Sequence, residues 1–165
     1  MADKNLVGRC GLFCGICSVY RAYKDSREFQ EKIAERYGCL PEEVRCEDCQ
    51  TLDVHGWSHE KDWGKNCKVL KCLNSRKLRF CSECAKYNTC QRFDEFARMN
   101  SYFGIDVKRN LQMIKEGKIE EWLLEQDKKW RCPSCGNPVA VSSDFRNCHW
   151  CRNKLSWRRN AHDSK

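Results

Sequence analysis

Fifteen cysteines stand in a chain of 165 residues, and fourteen of them fall into closely spaced groups. Leucine, isoleucine, valine and phenylalanine together number only 31, and one residue in three is charged. So little aliphatic matter beside so much charge leaves a thin core and would ordinarily give a disordered chain. Cross-linked cysteines are the alternative way to hold a fold. The count is odd, and the start Met-Ala-Asp-Lys-Asn-Leu-Val-Gly has neither a basic leader nor a long apolar run, so a reducing, cytoplasmic setting is expected. In that setting thiols hold metal rather than each other. No run approaches the roughly 20 apolar residues of a membrane span, so a soluble protein without a membrane partner is expected.

The strongest pattern lies near the end. Cys132-Pro-Ser-Cys135-Gly136 and Cys148-His-Trp-Cys151 form two C-x2-C knuckles separated by twelve residues. A two-residue spacer lets both sulfurs of a knuckle face one ion about 2.3 Å away, and Gly136 lets the backbone turn beneath it. Cys132, Cys135, Cys148 and Cys151 therefore read as a closed, structural zinc ribbon. The same spacing also suits a rubredoxin-like iron site. His149 reads as a surface residue beside a complete ligand set, and Trp130 and Trp150 as shields over the metal.

Charge separates this tail from the rest. Residues 1–127 carry 22 Lys and Arg against 21 Asp and Glu, whereas residues 128–165 carry 9 against 2. Trp130, Trp150 and Trp157 interleave with Lys128, Lys129, Arg131, Arg146, Arg152, Lys154, Arg158 and Arg159. Aromatics among cations suit a protein or nucleic-acid partner, and the competing reading is a solvated basic surface. No base-reading signature is present.

The N-terminal array holds ten further candidate ligands: Cys10, Cys14, Cys17, Cys46, Cys49, Cys67, Cys72, Cys81, Cys84 and Cys90. Ten thiols do not divide into four-cysteine sites. They leave open two mononuclear sites with two thiols over, a shared-thiolate dinuclear cluster plus one site, or three sites completed by His55 and His59. Cys39 stands apart and reads as a small buried hydrophobe. Cys10-x3-Cys14-x2-Cys17 has the spacing of radical enzymes that use S-adenosylmethionine, but the chain is too short for the barrel such enzymes need. The acid-free basic run from Lys65 to Arg79 reads as compensation for thiolate charge.

Apolar periodicity predicts a helix over 18–37 ended by Gly38, a second over 67–77, and helical segments over 91–127 broken near Gly104 and Gly117. Short strands are expected over 130–157. The expected fold is a small, metal-stabilised α+β protein. It has a mainly helical cysteine-rich domain at 1–95, a helical segment at 96–127 and a basic β zinc ribbon at 128–165, with no clear internal repeat.

Arg9-Cys-Gly-Leu-Phe-Cys-Gly-Ile-Cys-Ser-Val-Tyr-Arg-Ala22, the Cys46/Cys49 pair, and Phe80-Cys-Ser-Glu-Cys84 ending at Cys90 resemble the cysteine-rich domain of unknown function 3795 over roughly residues 8–95. That resemblance implies metal binding and frequent occurrence in anaerobes, and it carries over no catalytic residue. The His55 to Trp63 insert departs from the family pattern.

The leading expectation is a non-enzymatic module holding several zinc ions. An iron–sulfur or rubredoxin-like redox protein and a thiol-based metal sensor or store are the alternatives. Hydrolytic chemistry lacks its motifs: there is no Gly-x-Ser-x-Gly elbow, His-Glu-x-x-His helix or phosphate loop.

Overall fold

A computed structural model describes residues 3–48, 50, 67–141 and 146–155, and among these described residues it has six α-helices and several one-turn 3₁₀ segments. The chain is mainly helical. Helices α1 (Ser18–Asp25) and α2 (Arg27–Tyr37) occupy the span expected to be one helix. Ser26 divides it: its backbone is extended, and its side-chain oxygen accepts a hydrogen bond from the Phe29 amide at 3.2 Å. Capping of this kind stabilises a new helix start by about 1 kcal/mol, enough to override continued periodicity. Gly38 ends α2, as expected. The two helices bury Val19, Ala22, Phe29, Ile33 and Ala34 with Val44, Cys46 and Ala140.

Helix α3 (Lys68–Arg76) starts at Cys67, and α4 (Gln91–Ser101) starts at Cys90, so both begin directly after a candidate ligand. Helices α5 (Val107–Lys115) and α6 (Ile119–Lys129) follow, with breaks at Gly104 and Gly117. Asp106 caps α5 by accepting from the Arg109 amide at 3.0 Å. The largest apolar cluster joins Leu111, Ile114, Trp122, Leu123 and Trp130 to Val7, Phe13 and Ile16 from the first cysteine loop. Phe13 meets Trp122 edge to face, with ring centroids 6.0 Å apart. Since burying each such side chain is worth about 1.5–3 kcal/mol, the loop carrying Cys10, Cys14 and Cys17 is anchored by the apolar residues between its cysteines.

That loop closes tightly. Val7 bridges Phe13, the Gly8 amide donates to the Leu12 carbonyl at 2.8 Å, and buried Asn110 donates from Nδ2 to the Gly11 carbonyl at 2.8 Å. Gly11 has φ +87°, and a Cβ there would lie 2.6 Å from the Val107 carbonyl oxygen and 2.9 Å from Leu111 Cγ. Both conformation and space therefore require glycine. Gly11→Ala is expected to destabilise the protein by about 2–4 kcal/mol, from left-handed backbone strain plus displacement of α5. Urea unfolding followed by circular dichroism measures this, and a loss below about 1 kcal/mol would contradict the close packing.

The β ribbon expected over 130–157 is not formed by strands among the described residues. The mainly helical part of the expected fold is seen, and the β part of the α+β class is not shown among the described residues. Two isolated antiparallel bridges, Arg131 with Pro138 and Asn147 with Lys154, are what remain of the hairpin pattern. The reason lies in where the backbone groups go. The Cys132 amide donates to Asn137 and the Cys148 amide to Asn153, both at 2.8 Å, so each segment turns back on itself instead of extending. No described helix is long and apolar enough to cross a membrane.

Candidate metal centre

The two bridges close two copies of one knuckle. The Gly136 amide donates to the Cys132 carbonyl at 2.8 Å, and the Arg152 amide donates to the Cys148 carbonyl at 2.9 Å. Gly136 and Arg152 both have positive φ, 72° and 66°. Glycine takes this conformation freely, whereas Arg152 does so at a cost, and it is one of two described non-glycine residues with positive φ. The correspondence follows a repeat of Cys-x2-Cys-x-Asn sixteen residues apart, at 132–137 and 148–153. Asn137 and Asn153 were the visible signal of this repeat, and a search for cysteines alone overlooks them.

The knuckles face each other. The sulfurs of Cys132, Cys135, Cys148 and Cys151 all lie within 4.8 Å of one another. Cys132 to Cys151 and Cys135 to Cys148 are each 3.7 Å apart. Cys132 and Cys148 are buried, and Cys135 and Cys151 are half-buried. Burial raises the Cys132 thiol, but amides of Cys135 and Ser134 and the neighbouring thiols outweigh it and bring the group down to about 7. Cys148 is pushed up to about 12 by burial against the opposing amides of Cys151 and Trp150. Amides aimed at sulfur stabilise the thiolate, the form that binds metal. Four thiols in this arrangement are able to hold one metal ion.

His149, expected at the surface, is half-buried, with its side chain largely covered. Its Nε2 lies 2.7 Å from Asp25 Oδ2, with both side chains under a tenth exposed. Its ring stacks on Phe29 at 4.3 Å between centroids. Nearby, Arg152 pairs with Glu28, whose carboxylate is held at about 2 by Lys32 and Arg152. Residues between and beside the second pair of cysteines thus fasten the knuckles to α1 and α2. The Val141 amide adds a hydrogen bond to the Ile16 carbonyl at 2.9 Å. Sequence reading missed Asp25 and Glu28 because nothing local marks a helix-surface acid as the partner of a residue 124 positions away.

Several cations of the basic tail are engaged internally. Arg131 makes a two-pronged contact with Asp127 at 2.9–3.0 Å and also donates to the Gly136 carbonyl at 3.0 Å. Lys129 donates to the Gly104 carbonyl at 2.6 Å and lies over the Trp130 ring. Trp130 belongs to the core, donating to Gln126 at 2.9 Å, whereas Trp150 is 40% exposed and donates to the Pro138 carbonyl at 2.9 Å. Trp157, Arg158 and Arg159 lie outside the described residues.

Of the N-terminal candidates, Cys10, Cys14 and Cys46 are buried, and Cys17 is exposed. Cys49, His55 and His59 lie outside the described residues, as does the 55–63 insert. Cys39 is half-buried against the second apolar cluster, and burial raises its thiol. Cys72, Cys81, Cys84 and Cys90 line one cavity beside Leu73 and Phe93. Cys81 is pushed up to about 12, first by burial and then by Cys90, Cys72, Cys84 and Cys67 around it. Among the described residues, the tight four-sulfur grouping occurs at the C-terminal set alone.

A family model described as protein of unknown function (DUF3795) matches residues 6–95, more than half of the chain, and the chain belongs to that family. No curated protein and no solved structure matches it. The match takes in all ten N-terminal cysteines and ends before the C-terminal knuckles.

Proposed function

We propose that the protein is a non-enzymatic metal-binding module in which zinc, held by Cys132, Cys135, Cys148 and Cys151, staples the C-terminal knuckles and keeps them docked on α1 and α2. One observation carries the reading: the 3.7 Å sulfur separations. Four ligands at about 2.3 Å in a tetrahedron have edges of about 3.8 Å, and two sulfur pairs at 3.7 Å within a set no wider than 4.8 Å support a tetrahedral ion such as zinc. With four protein sulfurs, a tetrahedral ion has no position left for water or substrate. That favours a structural role over a catalytic one. The contacts of His149 with Asp25 and Arg152 with Glu28 then transmit the ion's ordering to the helical body.

The test is elemental analysis of full-length, anaerobically purified protein, together with cobalt replacement of the bound metal. Zinc bound at the four thiols, and a cobalt derivative with the intense visible absorption of a tetrahedral all-sulfur site, are expected. Iron with rubredoxin-type visible absorption would replace this reading with one-electron transfer. Protein whose four C-terminal thiols hold no metal would overturn it.

A further inference from the structure

The cavity beside α3 lies apart from the C-terminal thiols and does not depend on them. Val69 and Leu73 reach its wall from α3, Phe93 from α4, and Leu78 and Tyr87 from the chain between the two helices. Arg9 holds these segments together: it donates to Asn74 Oδ1 and to the Leu78 carbonyl, and its own carbonyl accepts from the Cys81 amide at 3.1 Å. Cys72, Cys81, Cys84 and Cys90 complete the wall. Among the described residues no three of their sulfurs lie within 4.8 Å of one another, so they serve here as small apolar side chains.

Two guanidiniums stand at this apolar wall without a counter-charge. Arg76 and Arg92 both line the cavity and are exposed, no acid lines it, and neither arginine has a carboxylate partner among the described residues. The adjoining acids are occupied: Glu83 accepts from the Arg79 amide at 2.8 Å, and Asp94 pairs with Lys108 at 2.6 Å. Helix electrostatics accounts for one of the two cations only. Arg76, in the last turn of α3, suits the negative end of that helix, but Arg92 is the second residue of α4, where the positive end of a helix disfavours a cation. An anion from outside the chain would balance both.

Size narrows the ligand further. The cavity measures about 40 Å³. At about 10–15 Å³ for each water-sized position, that is room for roughly three of them, enough for a short carbon chain and too little for a nucleotide. The planar forks of two arginines match the two oxygens of a carboxylate, and Tyr87 adds a hydroxyl that makes no hydrogen bond among the described residues. We propose that the cavity is a binding site for a short aliphatic carboxylate, with its tail among Val69, Leu73, Leu78 and Phe93 and its carboxylate held by Arg76 and Arg92. An apolar wall rewards the tail, and the arginines reward the charge, so neither part of the ligand suffices alone.

The experiment is a titration of isotope-labelled, full-length protein with sodium butyrate, read from its backbone amide NMR signals, beside titrations with acetate and with butanol. Butyrate is expected to shift the Val69, Leu73, Arg92 and Phe93 amides saturably. Acetate, which lacks two methylenes, should bind about tenfold more weakly, and butanol, which lacks the charge, should be weaker by about tenfold or more. Arg76→Gln and Arg92→Gln change exposed side chains and should fold normally by circular dichroism, yet each should weaken butyrate by about tenfold. Lys77→Gln, next to Arg76 but outside the cavity wall, should leave butyrate binding unchanged. No saturable shift at the cavity amides would overturn the proposal. So would acetate binding as tightly as butyrate, which indicates a surface ion pair only, or butanol doing so, which indicates an apolar void only. Unchanged butyrate affinity in folded Arg92→Gln would overturn it as well.

Discussion

Cys148→Ser is expected to release the C-terminal ion and unfold residues 131–141 and 146–155, while α5 and α6 keep their structure. Cys148 is fully buried, and the apolar cluster around the knuckles consists of Val139 and Leu155 with the four cysteines. Two aliphatic side chains contribute about 1.5–3 kcal/mol each. Ordering some twenty residues costs about 1–2 kcal/mol apiece in backbone entropy alone. The contacts with α1 and α2 are few, so the segment depends on metal binding of about 10–16 kcal/mol. Native-state hydrogen exchange is the measurement. Protection of the Cys132, Gly136, Cys148 and Arg152 amides should fall by orders of magnitude, and that of Leu111 and Leu123 should persist. A variant that loses its ion but keeps protection in the knuckles would show that packing, not metal, holds them.

How much of this was legible in advance depends on the range over which each feature is specified. The two C-x2-C knuckles are local, and their four sulfurs meet as their spacing suggests. The helix ends at Gly38, Gly104 and Gly117 are also local, since a positive φ at the break is written into the residue type. The break at Ser26 was missed because a serine within an amphipathic pattern is a cap or an exposed helix residue depending on its backbone, which the pattern does not show. Of the strands expected over 130–157, the described residues show two isolated antiparallel bridges. Turn signals between the two knuckles suggested short strands, and the amides of Cys132 and Cys148 bond within their own knuckles, to Asn137 and Asn153.

The docking of the knuckles was not legible. His149 looked solvent-facing because it sits between two ligands, and its partner Asp25 and stacking surface Phe29 lie on helices more than a hundred residues earlier. The surroundings of the N-terminal cysteines were hidden differently. Spacing alone pairs Cys81 with Cys84, whereas Cys90 and, from α3, Cys72 come to line the same cavity only through the fold. Arg9 belongs to the motif that carries the family resemblance, and it donates to Asn74 Oδ1 at 2.7 Å and to the Leu78 and Arg79 carbonyls at 2.6 and 3.0 Å, holding that distant segment.

Trp122→Ala is expected to lower stability by about 3–5 kcal/mol, the range for truncating a large buried aromatic. The side chain is wholly buried and packs against Phe13, the residue between Cys10 and Cys14, so the variant leaves a cavity beneath the first cysteine loop. Trp122→Phe should cost far less, for a reason peculiar to this site. The indole Nε1–H has no acceptor among the described residues. An orphaned buried donor is unfavourable by about 1–3 kcal/mol, and phenylalanine removes it while keeping most of the ring contact. Urea unfolding of both variants, followed by circular dichroism at 222 nm, separates the two contributions. A large loss for alanine with a loss under about 1.5 kcal/mol for phenylalanine supports an apolar role for Trp122. Equal losses would mean that the indole N–H is satisfied, by an ordered water for instance, and that Trp122 holds the cysteine loop through a polar contact as well as through packing.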